Sequence, residues 1–584
     1  MSRWFLACSI LVATTAAASA AAASTVVRIE GGREVASSVD EARAKGLTIV
    51  DLSDEWTPVL FATQLDPSSG QPVQARYRTI LVGMAKDEVD GDGVPLRPGE
   101  HNYLELFGVM PAISVLHARF QISMAPDEPC SKIDYEKLRS VKSLSSPTSK
   151  KPLPAAEAAV FAEVEARLGC EKMWPPKMKH QKGVLDDAMR DALKRFQFRN
   201  MIYDRQALLS ETMAALARPP VENDHRALLR ALTERVVSAA SILEDGTGDN
   251  GRNLVEEFTQ AAAKQLGWDT LEGAKAFFAR HKKEDFATLQ VALALPALPE
   301  YYAPHMDLDV EIDRGDVFYD PPWDENGKAV NQSRKVFPSI TVRVKHNGKS
   351  IRLIKWRTTI GGWRSDFAPN GYEYFRYKGS DVGPRVWRNV VAGPVWIAPD
   401  STPLRSLVKS KYVNGTEDWV VNYDEIGPGY LSAYGVVAAY NVVPGKDGKP
   451  DWDNGVRVHG SSEIYSIRNP EAYSHGCHRL MNHLAERLFS FVISHRNKTV
   501  EGEKSLNFSR QFLYKERVFE LRLPTRGFWY RLEPPVPVNV LEGNIQSKLK
   551  KPPRTYIQKP GVVYPPGPIP LPPDLPESRA GGGE

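Results

Sequence analysis

The sequence predicts a multidomain α+β protein, with a helical scaffold region ahead of a mainly β C-terminal half. Three observations carry that expectation. At 584 residues the chain is too long for one hydrophobic core, so two to four domains are expected. Residues 155–295 hold a helical period, as in "LDDAMRDALKRFQFRNMI", where Met189, Leu193 and Phe196 share one face at +4 and +3 spacing. From about residue 301 the period falls to two, as in "HMDLDVEIDRGDVFYD". The bulk numbers fit a soluble globular chain, with 42% hydrophobic and 25% charged residues. A net charge of +4 gives no reason to expect nucleic-acid binding, which uses a concentrated basic face.

Taken in order, the first element is an export signal over residues 1–23. Arg3 precedes an apolar run, Trp4 to Val12, and small residues follow at two A-x-A sites, Ala18-Ser19-Ala20 and Ala21-Ala22-Ala23. An uncleaved membrane anchor is the alternative, but the alanines make the run weakly hydrophobic. Cys8 lies too early in the run for lipoprotein acylation. No later segment approaches the ~18 apolar residues of a membrane span. Export leaves Cys130, Cys170 and Cys477 of the four cysteines. In an oxidising compartment Cys130 and Cys170 are the natural pair, with two reduced buried thiols as the alternative. Their bond would contribute roughly 4 kcal/mol by chain entropy. Either way Cys477 is the odd thiol.

Residues 24–140 form an N-terminal α/β region of unassigned role. "RYRTILVGMA" (76–85) and "NYLELFGVM" (102–110) read as strands. Between them "DEVDGDGVPLRPGE" is a solvated turn rather than a calcium loop, since the twelfth position counted from Glu88 is Gly99 and the bidentate carboxylate is missing. "SLSSPTSKKPLP" (143–154) is a linker by composition. "AAEAAVFAEVEARLG" opens the helical stretch. "LLSETMAALARPP" continues it with Leu209, Met213 and Leu216, and Pro219-Pro220 stop it. In the β half, Asp307, Asp309, Glu311 and Asp313 share a solvated strand face. "ITVRVKHNGKSIRLIKWRTTIGG" is a hairpin around His346-Asn347-Gly348. "RVWRNVVAGPVWIAP" is a strand broken at Gly393-Pro394. Residues 501–550 are a C-terminal extension. The Pro-rich tail, 551–584, cannot bury enough apolar surface to fold alone and is expected to be a disordered or extended strap.

The chemistry concentrates in "VRVHGSSEIYSIRNPEAYSHGCHRLM", Val456 to Met481, where fourteen residues separate His459 from Ser474. A thiol of ordinary pKa about 8.5 is only a few per cent thiolate at neutral pH, and a neighbouring imidazole can take its proton. "NGVRVHG" alternates as a strand that projects His459, with Gly460 letting the chain turn. "SHGC" is followed by an apolar helix face, Leu480, Leu484, Leu488 and Phe489, so Cys477 near the helix start would feel its positive end. Backbone N–H groups at His475, Gly476 and Cys477 can face a developing oxyanion, and Gly476 keeps that approach clear. Zinc is disfavoured: His459, His475, Cys477 and His478 lack a second nearby cysteine and a recognised ligand spacing.

This motif resembles the L,D-transpeptidase (YkuD-type) catalytic domain of bacterial cell-wall enzymes, through His459-Gly460 and the ending Ser474-His475-Gly476-Cys477-x-Arg479-Leu480. "GPVWIAPDSTP" (393–403) and "GPGYLSAYGVVAAYNVV" (427–443) are similar to the large Gram-negative members, in which an insertion caps the site. "GVLDDAMRDALKRFQFRNMIYDRQALLSETMAAL" (183–216) resembles the three-helix peptidoglycan-binding repeat, through Phe196-Gln197 and Thr212 to Leu216, but has Asp204-Arg205 where that repeat has an Asp-Gly turn. The resemblance implies a catalytic domain over 335–500, a YkuD-like β-sandwich with a helix after the cysteine and a capping insertion at about 404–450. It also implies a periplasmic location.

The same resemblance implies the roles. Cys477 is the nucleophile and His459 the proton acceptor and donor. Gly460, Ser474, His475, Gly476 and Arg479 support the site, and Trp396 and Tyr430 are candidates to line the peptide groove, with packed aromatics as the alternative. His478 departs from the family, where an aliphatic residue is usual. No cofactor or metal is implied. The implied partners are peptidoglycan stem peptides, a tetrapeptide donor and an acceptor amine, with other cell-wall proteins in view. The expected activity is 3→3 cross-linking through a Cys thioester. Water as acceptor gives an L,D-carboxypeptidase, and a protein lysine gives lipoprotein anchoring. A cell-wall cysteine peptidase is disfavoured because its cysteine normally precedes its histidine. A catalytically silent wall-binding protein is disfavoured by the presence of both His459 and Cys477.

Overall fold

A computed structural model describes residues 25–30, 33–54, 56–61, 113–123, 130–142, 153–175, 178–202 and 208–567, with 369–370, 401, 414–415, 447 and 462 excepted. The export signal, the strands expected at 76–85 and 102–110, the turn at 87–100, most of the 143–154 linker and the last part of the tail lie outside these residues. Among the described residues no helix is long and apolar enough to cross a membrane.

The chain is mixed helix and strand. A four-stranded sheet opens it: β1 (Thr25–Glu30), β2 (Arg33–Ser38), β3 (Thr48–Asp51) and β4 (Gln290–Leu293), in the order β2-β1-β4-β3. The N-terminal strands therefore pair with a strand from the far end of the helical region. Helices Pro220–Ala240, Leu254–Leu266 and Leu271–Arg280 lie between them, the second ending at Gly267 in the left-handed conformation. Pro220 opens the first of these, so Pro219-Pro220 ends one helix and begins the next.

Helices Tyr135–Ser140, Ala155–Cys170, Asp187–Arg199 and Ser210–Leu216 build a separate apolar core of Phe161, Leu168, Met189, Leu193, Phe196 and Leu216. The Cys130–Cys170 disulfide, with Cα atoms 5.7 Å apart, ties this unit together. Met189, Leu193 and Phe196 face inward as the period predicts, whereas Leu209 is exposed. Gln197 is buried and its Nε2 donates to Thr212 Oγ1 at 2.9 Å, so the Phe-Gln and Thr-x-x-Ala-Leu residues meet inside this unit.

The C-terminal half is organised by a nine-stranded sheet. Its strands are β5 (Asp307–Asp313), β7 (Ser339–His346), β8 (Lys349–Arg357), β11 (Gly383–Ala392), β14 (Val437–Val442), β15 (Arg457–Ser461), β16 (His478–Met481), β17 (Lys498–Tyr514) and β18 (Arg517–Val540). The order is β16-β15-β14-β11-β18-β5-β7-β8, with β17 paired to β18. Four further strands form hairpins outside it, β9 (Trp363–Phe367) with β10 (Glu373–Tyr377), and β12 (Val408–Val413) with β13 (Thr416–Val421). The short β6 (Asp316–Val317) pairs with β19 (Asn544–Ile545).

Period two is obeyed in β5: Leu308, Val310 and Ile312 are buried. The acidic face meets β7, with Glu311 3.5 Å from Arg343 and Asp309 3.8 Å from Lys345. The β7–β8 turn uses Asn347 and Gly348, both at positive φ, as a two-residue hairpin requires.

Several expected boundaries move. β5 precedes residue 335, and β18 follows residue 500 yet sits in the middle of the sheet between β11 and β5. The sheet unit thus runs from about 307 to 545, and 501–550 is no appendage. β14 lies within the expected cap, so only the parts before about 436 and after Val442 stand outside the sheet. The tail is neither free nor disordered over 551–567: Ile557 pairs with Phe375 on β10, and Tyr564 OH donates to Glu373 O at 2.8 Å. One core cluster joins Leu60 and Phe120 to the 220–280 helices, the main sheet and helix Asn482–Ser494.

Candidate active site

His459 stands on β15, and Cys477 immediately precedes β16, the parallel strand beside it. β15 pairs with β16 in the register Val458↔His478, His459↔Arg479 and Gly460↔Leu480. Side chains alternate along a strand, so Val458, Gly460, His478 and Leu480 share one face and Arg457, His459 and Arg479 the other. Cys477, one residue before β16, continues the His459 face. Val458 and Leu480 join the core on the opposite side, against helix Asn482–Ser494.

His459 is buried, and its Nδ1 lies 2.6 Å from Gly460 O. A carbonyl can only accept, so Nδ1 carries the proton and Nε2 keeps its lone pair. Burial, then the Arg479 charge, holds the imidazole down to about 3, so it is neutral at working pH. The ring of Tyr434 meets it edge-on at 5.0 Å. Cys477 is a free, partly exposed thiol, with Sγ 3.7 Å from Gly455 O. Burial raises its pKa, against the Arg457 backbone N–H and the Arg457 and Arg479 charges. The resting pair is therefore neutral thiol and neutral imidazole.

The loop before the thiol is held from three sides. Ser474 Oγ donates to Cys477 O at 2.6 Å and accepts from Gly476 N–H at 3.1 Å. Thr359 Oγ1 also donates to Cys477 O, at 3.0 Å, and Ser380 Oγ donates to Gly476 O at 2.6 Å. Gly476 has φ +118°, and a Cβ there would lie 2.9 Å from Gly379 O. Its N–H is given to Ser474, so it is not free to face an oxyanion as the sequence suggests.

Gly460 acts differently from expectation: it is in mid-strand rather than at a turn, and a Cβ there would come 2.2 Å from Asn482 Oδ1. Asn482 in turn accepts from Val436 N–H at 3.3 Å and donates to Tyr430 O at 3.0 Å. The helix expected directly after the cysteine begins only at Asn482. His478–Met481 is a strand because it pairs with β15, so the helix dipole does not reach Cys477 closely.

Arg479 Nη1 donates to Glu463 Oε2 at 2.7 Å, which anchors the loop to the short helix Ile464–Arg468. His475 reaches solvent, but the atoms crowded round its ring desolvate it and, with the cations Arg364, Arg479 and Lys378, lower it to about 4. His478 is buried on the core face, and its Nδ1 lies 3.0 Å from Thr359 O. Burial lowers it to about 4, so His478 is a neutral core imidazole on the face opposite the thiol. Tyr430 is buried against Phe198 rather than lining a groove. Trp396 packs on the apolar cluster between the β12–β13 hairpin and the outer parts of β17 and β18. Among the described residues no cluster of His, Cys, Asp or Glu is suited to hold a metal ion.

Sequence reasoning missed Tyr434 and Arg457. Arg457 binds Asp453 through both nitrogens, at 2.6 and 2.8 Å, and stacks 3.6 Å from the Tyr440 ring. Strand alternation through "VRVHG" is the signal that places Arg457 on the His459 face. No family model matches the chain, and neither a curated protein nor a solved structure is found similar to it.

Proposed function

We propose that the chain is a cysteine acyltransferase of L,D-transpeptidase type, acting on peptidoglycan stem peptides in the periplasm through a YkuD-like catalytic domain. One observation supports the reading: along the parallel β15–β16 pair Cys477 continues the face that carries His459, whose Nδ1 is held by Gly460 O so that Nε2 keeps its lone pair. His459 Nε2 takes the thiol proton as sulfur attacks the carbonyl of the third stem residue, the L-centre of a diaminopimelate. The Cys477 N–H receives the oxyanion. The C–N bond to the terminal D-alanine breaks and His459 returns the proton to the leaving amine. An amine of a second stem then attacks the thioester, the C–S bond breaks, and a 3→3 cross-link forms. No metal or cofactor enters this scheme. The 130–217 helical unit, with its peptidoglycan-binding-like segment, is the wall-docking part of the reading.

Intact-protein mass spectrometry with a carbapenem tests the nucleophile. Wild type gains one adduct and Cys477→Ala gains none; an adduct on both, or on neither, sinks the proposal. Incubation with tetrapeptide muropeptides then separates cross-linking from hydrolysis.

A further inference from the structure

The β9–β10 hairpin reaches the nucleophile loop through a backbone bridge between Gly361 and Ser474. It approaches closely because Gly362 has no side chain: a Cβ there would fall 2.5 Å from the Tyr473 ring. Trp363 turns inward and its indole N–H donates to Tyr319 O at 3.1 Å. Alternation then sends Arg364 to the loop side, where its Nε donates to Ser474 O at 3.4 Å.

Three cations around the site are already paired. Arg479 has Glu463 at 2.7 Å, Arg457 has Asp453 at 2.6 Å, and Lys378 has Asp366 at 2.6 Å. Arg364 is partly buried beside the same loop, and no carboxylate lies within ion-pair distance of it among the described residues. Burial and the Arg479 charge lower its pKa to about 10, so it stays cationic at neutral pH. The nearest acidic influence on it is Glu463, which is paired to Arg479, so a partly buried cation is left without a close anion, and an incoming carboxylate offsets that cost. Its terminal nitrogens present the planar fork that matches a carboxylate in two-point contact.

We infer that Arg364 binds a free carboxylate of the peptide that acylates Cys477, fixing the scissile carbonyl over the thiol. This rests on the acyltransferase reading and adds the substrate group that the site recognises. Two donor carboxylates share that chemistry: that of the leaving D-alanine, and the distal one of the third residue.

Steady-state kinetics on wild type, Arg364→Gln and Arg364→Lys, with a tetrapeptide donor and two singly amidated donors, tests it. Arg364→Gln should lose roughly 10- to 100-fold in kcat/KM on the unmodified donor, the scale of one charged hydrogen-bonded contact. Lysine should restore part of it, since the charge stays and the fork does not. One amidated donor should lose a similar factor on wild type and nothing further on Arg364→Gln; which donor does so identifies the carboxylate. If both amidations multiply with Arg364→Gln, or the variant equals wild type, the assignment is wrong. Alkylation of Cys477 by neutral iodoacetamide at the wild-type rate establishes that the variant site is intact; where glutamine disrupts it, the lysine variant decides. A wild type that turns over no donor overturns acyl transfer itself, whereas an active wild type matched by Arg364→Gln overturns Arg364 alone.

Discussion

At the residue scale the site is a neutral pair rather than a preformed ion pair. His459 is held near 3 and the Cys477 thiol is pushed up, both chiefly by burial. The base form of His459 is present at every pH above about 3, so its titration should leave no inflection near the ordinary histidine value of 6.5. The thiolate accumulates only above the usual thiol range. The alkylation rate of Cys477 by iodoacetamide should therefore stay a small fraction of its plateau from pH 5 to pH 8 and reach half of it only above the ordinary thiol value of about 8.5. An inflection near 6.5, the mark of a thiolate–imidazolium pair, would contradict this environment. His478, the unusual neighbour in the motif, should leave the profile unchanged when replaced by leucine, because its ring lies on the opposite face of β16.

At the scale of elements, much was legible where the signal is local. "HNG" between alternating runs marks the β7–β8 turn, and the +3/+4 spacing of Met189, Leu193 and Phe196 marks a buried helix face. Pairing between distant segments is not written locally. Nothing in "RLEPPVPVNV" says that β18 lies between β11 and β5, and "HRLM" matches a helical period until β15 claims it as a strand. The tail is the same case. Prolines there forbid a self-contained fold, yet the segment is ordered by what it touches: Tyr556 OH donates to Asp366 Oδ2 at 2.7 Å, and Ile557 exchanges backbone bonds of 3.0 and 2.8 Å with Phe375. A two-stranded hairpin is marginal on its own. Ending the chain at Pro553 should accordingly raise amide exchange across 363–377 and lower kcat/KM for donor peptide, while Cys477 still alkylates at the wild-type rate. Unchanged exchange in the hairpin would show that the strap does not support it.

At the scale of the whole molecule, His459 and Cys477 are legible because their motif is contiguous, whereas Tyr434 and Arg364 reach the site only through the fold. The joint between scaffold and sheet is equally hidden in the sequence. Helix Pro220–Ala240 meets helix Asn482–Ser494 through the buried Glu234–Arg487 pair at 2.5 Å, with Glu486 beside it accepting from Ser490 Oγ at 2.6 Å. Two acids face one arginine, so they cannot both be ionised cheaply. Glu486 yields: burial, then the Glu234 charge, raises it to about 8. Its folded pKa lies above the unfolded value of 4.5, so the folded state holds the extra proton between those limits. That contribution to stability is complete below pH 4.5 and is lost as pH rises toward 8. Glu486→Gln keeps the shape and the neutral state without the titration. Measured by chemical denaturation, its stability relative to wild type should increase from pH 5 to pH 8, by roughly 3 kcal/mol. A constant difference across that range would mean that Glu486 is ionised at the joint, with Arg487 neutralising both acids.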